Sequence, residues 1–352
     1  MKETFPQRLK SARIMRGWSM EQLARELEPP ITKQAVHKYE HGRMYPDSDT
    51  LLALSHALEV KPDYFFRPFR YQMDKIEFRK KNRLGKRELE AIKERVRDQV
   101  ERYLEVESFL NIRSDFSSPL SPAPLESGEE VETAVEQLRA RWNLGKNALP
   151  NVVELLEDQE IKVVELEAGP GFDGFAGWVD GNVPVIVINN ALAVERKRFT
   201  ALHELGHLLL PFREDLDPKE AERYCHRFAG AMLIPRETFL KEVGEKRRNI
   251  SLAELIPLKE EYGISIQALM RRALDLGVVS DGVYRSFCVR ISGNREEKGL
   301  GGYIGKEHSD RFQQLVFRAA AEEIISMSKA ANLAGMKLGA FREGYLVGYT
   351  PS

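Results

Sequence analysis

The chain has 352 residues, enough for two or three domains that each bury a sizeable core. Its 53 lysines and arginines against 54 aspartates and glutamates leave a net charge of −1, which excludes a global basic field, so any nucleic-acid surface must be local. Two cysteines, Cys225 and Cys288, offer no disulfide framework; MKETFPQRLKSARIMRG lacks the apolar core of a signal peptide, and no stretch approaches the length of a membrane span. A soluble cytoplasmic protein without membrane contact is expected.

To about Phe66 the chain reads as a run of short helices. Phe5, Leu9, Ala12 and Ile14 support the first, and Ser19 caps a second, MEQLARELE, with Glu21 and Gln22 near its first turn. Pro29 and Pro30 break it. Thr32 opens a third, KQAVHKYEHG, closed by Gly42, and LLALSHALEV from Leu51 forms another. Short helix, tight turn and short polar helix is a helix-turn-helix layout. The third helix needs an apolar inner side, here Ala35, Val36 and Tyr39, which turns Lys33, Gln34, His37 and Lys38 outward. Gln and Lys can read adenine and guanine edges in the major groove, while Ser19, Gln22, Thr32 and Arg43 are placed as phosphate contacts. A merely solvated face is the alternative. RLKSARIMRGWSMEQLARELE and TKQAVHKYEHGRMYPDSDTLLALSHALEV resemble the Cro/C1-type (XRE, lambda-repressor-like) family over about residues 5–66. The resemblance implies a double-stranded DNA operator with two half-sites and a homodimer to bind them.

From Arg67 the sequence is charged, with basic residues crowded up to Arg87, then an amphipathic helix of low apolar content with Leu84, Leu89, Ile92, Val96, Val100, Tyr103 and Leu104. A solvated helical spacer is expected, with a dimer helix as the functional alternative; the basic start could touch DNA backbone. SDFSSPLSPAPLESGEE, residues 114–130, is a Pro- and Ser-rich linker or exposed connection.

Two helices, VETAVEQLRARWNLG and NVVELLEDQE, come next, then three strands, IKVVELE, FDGFAGWVD and VPVIVIN, separated by Gly-Pro-Gly and Asp-Gly turns. They lead into RFTALHELGHLLLP, apolar on nearly all faces and therefore a buried helix. Within it, His203 and His207 are four apart and can present imidazole nitrogens to one metal ion, with Glu204 one position round as a base for an attacking water. This HExxH pattern supplies the parts of a zinc hydrolase site, against a hydrogen-bonded core pair as the alternative. Catalytic zinc needs a third protein ligand. Downstream, PKEAERYCHRFAGAMLIP forms a second core-facing helix through Ala221, Cys225, Phe228, Ala229 and Met232, with Glu222 flanking that face.

PVIVINN, RFT, HELGH and the later helix together resemble the ImmA/IrrE metallopeptidases over about residues 151–277. The resemblance implies Zn2+ as cofactor, Mn2+ or Fe2+ being compatible with two His and one Glu, and puts the third ligand on Glu222, with Glu220 next in line. Two positions depart from the family pattern: His226 stands where Asn is frequent, and Pro211 where a further His is common. His226 is thus a rival ligand or a partner of one; Cys225 is a thiolate ligand or a small core residue.

Beyond Pro235 further helices follow, among them SLAELIPLKEEYG and ISIQALMRRALDLG, the latter a packing face rather than a second DNA reader. RSFCVRISGNREEKGLGGYIG holds a strand and glycine-rich loops, and SDRFQQLVFRAAAEEIISMSKAANLAG a final amphipathic helix that packs on the peptidase domain or forms the dimer. The expected fold is mainly α with a small β-sheet (α+β): an all-α helix-turn-helix domain (1–66), a charged helical spacer and linker (67–130), an HExxH zincin-like peptidase domain (131–282) and a C-terminal region (283–352). The expected function is a DNA-binding transcriptional regulator with Glu204 catalytic and His203, His207 and Glu222 on the metal, cutting a repressor-type protein or sensing a signal. A transcription factor with a non-cutting sensor domain, or an antitoxin partnered by a toxin protein, are the competing readings.

Overall fold

The computed structural model describes residues 4–69, 85–113, 116–121 and 123–347. They are mainly helical with one small sheet and form two units. Of the described residues, 4–69, 85–113 and 310–347 belong to the first unit and 116–309 to the second, so the second is inserted into the first. None of the described helices is long and apolar enough to cross a membrane.

The first unit opens with α1 (Thr4–Met15), α2 (Met20–Glu26), α3 (Lys33–Glu40) and α4 (Ser48–Leu58), then a 3-10 turn, Pro62–Phe66. Side chains set the starts. Ser19 accepts the Gln22 N–H in a reciprocal capping box, Thr32 accepts that of Ala35 and Asp47 that of Thr50. Asp47 is why α4 begins at Ser48 rather than at Leu51. Phe5, Leu9, Leu23, Val36, Leu54 and Phe65 form the core.

Next comes α5 (Lys86–Phe109), which is not the solvated spacer its charges suggest. Ile92, Val96, Val100, Tyr103 and Val106 are buried, and α5 packs on α1. Arg8 of α1 pairs with Glu101 of α5 at 2.7 Å, the two side chains only 1% and 4% exposed. Charged residues read as a solvent face are here internal partners. The basic start offered to a DNA backbone falls largely on residues 70–84, outside the described residues.

The second unit holds α6 (Gly128–Arg141), α7 (Val152–Asp158), β1 (Lys162–Leu166), β2 (Gly174–Val179), β3 (Val183–Asn189), α8 (Val194–Leu209), α9 (Pro218–Leu233), α10 (Arg236–Val243), α11 (Leu252–Tyr262), α12 (Ile266–Asp275) and α13 (Asp281–Ile291). Its approach segment is no free linker: Leu120 and Leu125 are buried in this core, and Leu125 donates to the Pro211 carbonyl at 3.0 Å. The sheet order is β1-β3-β2. β3 is buried at every residue, which is why it reads as a continuous apolar run, whereas β2 alternates. β1 runs parallel to β3, Val164 opposite Val187, and β2 antiparallel, Ala176 opposite Ile186. The strand expected at RSFCVRI is instead the second half of α13. Ser280 caps that helix, and Phe287 and Ile291, four apart, are its buried residues.

The chain then returns to the first unit as α14 (Arg311–Ala321), α15 (Met327–Leu333) and α16 (Leu338–Val347). The single final helix expected here is broken after Ala321, with Glu323 in the left-handed region at φ 55°. Val316, Ala319, Ala330 and Phe341 pack with Tyr103 and Val106 of α5, so the tail's apolar partner is α5 rather than the sheet-bearing unit.

Glu132 of α6 ties together the helices around α9. Its carboxylate accepts both Arg272 amino groups at 2.9 and 2.8 Å and Arg227 Nε at 2.8 Å. Burial raises its pKa, but hydrogen bonds and charge from Arg272 and Arg227 outweigh burial and hold it below 4.5. Since Glu132 is 2% and Arg272 1% exposed, Glu132→Ala strands a buried cation and should cost about 3–5 kcal/mol. A folded pKa below the unfolded one stabilises above pH 4.5 and is lost as pH falls through it. The difference in urea midpoint between wild type and Glu132→Gln should therefore close on acidification; a difference constant with pH would contradict this.

Candidate metal centre and nucleic-acid interface

Helix α8 sets His203 and His207 one turn apart, and α9, packed against it, brings Glu222 to both. Glu222 Oε2 lies 3.5 Å from His203 Nε2, Glu222 Oε1 3.5 Å from His207 Nε2, and the two Nε2 atoms are 3.1 Å apart. These three residues are the metal-capable grouping among the described residues, with their donor atoms within 4.8 Å of one another. Burial pushes the His203 pKa down to about 4, against a smaller upward effect of the Glu222 carboxylate, which accepts from the protonated ring. The imidazole is thus neutral near pH 7 and keeps the lone pair a metal needs. Its Nδ1 is buried without a hydrogen-bond partner. Two imidazole nitrogens and one carboxylate, half-buried at the protein surface, are a donor set that fits a divalent transition metal.

Small residues permit this convergence. A Cβ on Gly206, inside HELGH, would sit 3.3 Å from Cys225 Cα and from Phe228 Cδ1 of α9. A Cβ on Gly174, the first residue of β2, would meet the Val187 carbonyl at 2.6 Å and Thr200 Cγ2 at 2.9 Å, with Glu204 Cγ at 3.6 Å. Glu204 therefore lies beside the start of β2, an edge strand. Arg198, in the RFT stretch, is fully buried and anchors the base of α8 by pairing with Glu307 at 2.5 Å and donating to the Leu149 carbonyl at 2.6 Å. Asn189, at the end of β3, folds the β1–β2 loop: its Nδ2 donates to the carbonyls of Ala168 and Phe172 at 3.0 and 2.9 Å. The sequence marks Arg198 and Asn189 only through the family pattern, because their partners are backbone carbonyls and a residue more than 100 positions away.

The other candidate ligands fall outside the grouping. Glu220 pairs with Arg223 at 3.2 Å. His226 is exposed, with its ring 4.4 Å from that of His203 and its Nδ1 2.6 Å from the Glu222 carbonyl. Cys225 is buried, with Sγ 3.2 Å from His207 Nδ1, so it touches a ligand's outer nitrogen, where second-shell groups fix imidazole orientation.

In the first unit Lys33, Gln34, His37 and Lys38 are exposed on α3, as are Ser19, Gln22, Thr32 and Arg43, while Val36 and Tyr39 face the core. Ser19, Gln22 and Thr32 also serve as helix caps. His37 stacks on His41 with ring centroids 4.0 Å apart. Nothing in the sequence pattern announced the pair Arg13–Glu40, which fixes α3 to α1 through contacts of 2.5 and 3.0 Å.

A compact helical unit presenting a polar helix, joined to a unit with HExxH and a converging Glu, defines a helix-turn-helix protein with a metallopeptidase-type domain. Residues 9–65 match the model of the helix-turn-helix family and residues 156–274 that of the IrrE N-terminal-like domain (peptidase M78). The SPbeta prophage-derived uncharacterized HTH-type transcriptional regulator YonR of Bacillus subtilis is 39% identical over 70 residues, 20% of this chain and 63% of that protein. The radiation response metalloprotease IrrE of Deinococcus radiodurans is 38% identical over 86 residues, 20% of this chain and 26% of that protein. The chain thus spans less than two thirds of either relative.

The Gly174 contacts are backbone-limited, so Gly174→Ala must push β2 off β3 and α8. A loss of about 1–3 kcal/mol is expected, in the range of overpacking substitutions, read as a lower urea midpoint of the full chain. An unchanged midpoint would mean that β2 does not lie this close.

Proposed function

We propose that this chain is a DNA-binding transcriptional regulator whose inserted unit is a zinc-dependent metallo-endopeptidase. The observation that carries the enzyme half is the convergence of His203 Nε2, His207 Nε2 and the Glu222 carboxylate beside Glu204. In this reading His203, His207 and Glu222 hold the ion. When bound, zinc supplies Lewis acidity that polarises the scissile carbonyl and acidifies water. Glu204 takes the proton of the attacking water and passes it to the leaving amine. The edge of β2, next to Glu204, offers backbone groups to which an extended peptide adds as a strand. We assign the modules to residues 1–66 and 131–282.

The DNA half is supported by the exposed row Lys33, Gln34, His37 and Lys38 on a helix-turn-helix that matches its family model. A repressor-type protein is the proposed substrate, a homodimer the proposed operator-binding form, and the cytosol, where the thiols of Cys225 and Cys288 stay reduced, the proposed compartment. A stress-linked role belongs to the same proposal, since the Deinococcus relative is named a radiation response metalloprotease.

Elemental analysis of wild type, His203→Ala and Glu204→Gln, each then incubated with helix-turn-helix repressors encoded nearby, tests the enzyme half. About one zinc per chain is expected in wild type and in Glu204→Gln, and none in His203→Ala. Cleavage should fall by at least about 100-fold in Glu204→Gln. Metal without cleavage of any repressor would replace the peptidase by a sensor; retained cleavage in Glu204→Gln would remove the general base. Lys33→Ala with Lys38→Ala should weaken operator binding and leave metal content alone, and unchanged binding would overturn the assignment of α3.

A further inference from the structure

The three helices that end the chain repeat the plan of the three that begin it. Helix α1 closes with Gly17 at φ 66°, its N–H bonded to the Ile14 carbonyl and the next N–H, of Trp18, reaching back to Arg13. Helix α14 closes identically: Glu323 is at φ 55°, its N–H bonds the Ala320 carbonyl, and Ile324 reaches back to Ala319. A capping serine follows in each case. Ser19 accepts from Gln22 and Ser326 from Lys329, and each opens a helix of 7 residues. The residues themselves repeat, Ser19-Met20-Glu21-Gln22-Leu23-Ala24 beside Ser326-Met327-Ser328-Lys329-Ala330-Ala331, with the apolar residue and the alanine buried in both. A short turn containing Gly335 at φ 69° then leads into α16, as a helix-turn-helix requires. The three helices pack mutually: α14 and α16 each meet α15, and Phe317 of α14 stacks on Phe341 of α16 at 5.1 Å.

Phe341, 1% exposed, stands where Val36, 0% exposed, stands in α3; their N–H groups bond the carbonyls of Lys337 and Thr32 respectively. In that register Gln34, His37 and Lys38 correspond to Gly339, Arg342 and Glu343, all of them exposed. Lys337 and Arg342 make no ion pair among the described residues and present positive charge at the start and outer face of α16. Glycine at 339 admits a close backbone, and a glutamate can accept from a cytosine amino group. The repeat is fixed to the first motif's end: Asn332 Nδ2 donates to Asp63 Oδ2 and Lys61 Nζ to the Met336 carbonyl, each at 3.0 Å.

Resting on the DNA-binding reading of the first motif, we propose that α14–α16 is a second helix-turn-helix that contacts double-stranded DNA through α16, Lys337 and Arg342 meeting phosphates. Because Gly339, Arg342 and Glu343 differ chemically from Gln34, His37 and Lys38, the two motifs read different sequences, and one chain recognises an asymmetric tract.

The test uses the full chain on a duplex selected by wild type from a random-sequence pool, with hydroxyl-radical footprints and the salt dependence of binding. Lys337→Gln with Arg342→Gln, both exposed, should erase one protected patch and reduce the log–log salt slope by about 1 per cation removed. Arg342→Lys, which keeps the charge, should retain the patch. If that double variant matches wild type in footprint and slope while Lys33→Gln with Lys38→Gln abolishes binding, the second motif is overturned and the first stands. If the α16 variant loses its patch and the α3 variant changes nothing, the second motif stands and the first assignment falls. Wild type that selects no duplex overturns both.

Discussion

The metal-capable site depends on how closely α8 and α9 approach. Two helices meet at a distance set by the side chains at the contact, and here those are Gly206 on one side and Cys225 on the other, next to Phe228. At that separation the Glu222 carboxylate lies 3.5 Å from both imidazoles. A larger residue at 206 would move Glu222 away from the histidines although all three remained present in sequence. Gly174 imposes the same constraint on the other side of Glu204, where β2 closes on Thr200. The chemistry-bearing residues are therefore framed by glycines whose role is to be small.

What holds α8 and α9 in that relation is a set of buried charges. Arg198 fixes the base of α8 to Glu307, and Arg227 and Arg272 fix α9 and α12 to Glu132. The two carboxylates respond in opposite directions. Glu132 meets two guanidinium groups, which overcome burial and lower its pKa. Glu307 meets one, with the backbone N–H groups of Val152 and Val153, and burial prevails, raising it. Pairs of this kind contribute little net stability over well-packed apolar residues, yet cost much when one partner is removed. Their effect is to allow one arrangement of helices and penalise others, which a site built from three side chains on two helices requires.

The sequence made the strands, the capped helices and HELGH legible because each is announced by local period or by residue type. Glu222 was legible only by resemblance, since nothing about a Glu on a charged helix flank separates it from Glu220; the crossing of α8 and α9 makes the distinction. The burial of α5 is not legible in the sequence because Glu101 and Glu105 look like solvent-facing charges, while their partners Arg8 and Lys329 are remote in sequence. The break between α14 and α15 is hidden for another reason: Glu323 takes a left-handed conformation that glycine or asparagine usually signals. RSFCVRI looked like a strand because β-branched and aromatic residues are dense there, and the four-residue spacing of Phe287 and Ile291 decided for helix.

Insertion of one unit into the other also bears on how the chain can be divided. Among the described residues the sheet-bearing unit runs through 123–309, and its core comes from that interval and its approach segment. The helical unit has no such continuity, because Tyr103 and Val106 of α5 share a core with Val316, Ala319 and Phe341. Cutting after α5 would expose those residues on both fragments, as apolar surface that burial otherwise removes from water at about 25 cal/mol per Å². Removing the metal-capable unit leaves both halves of this core in the chain, whereas a truncation that removes the tail strips Tyr103 and Val106 of α5 of their apolar partners there.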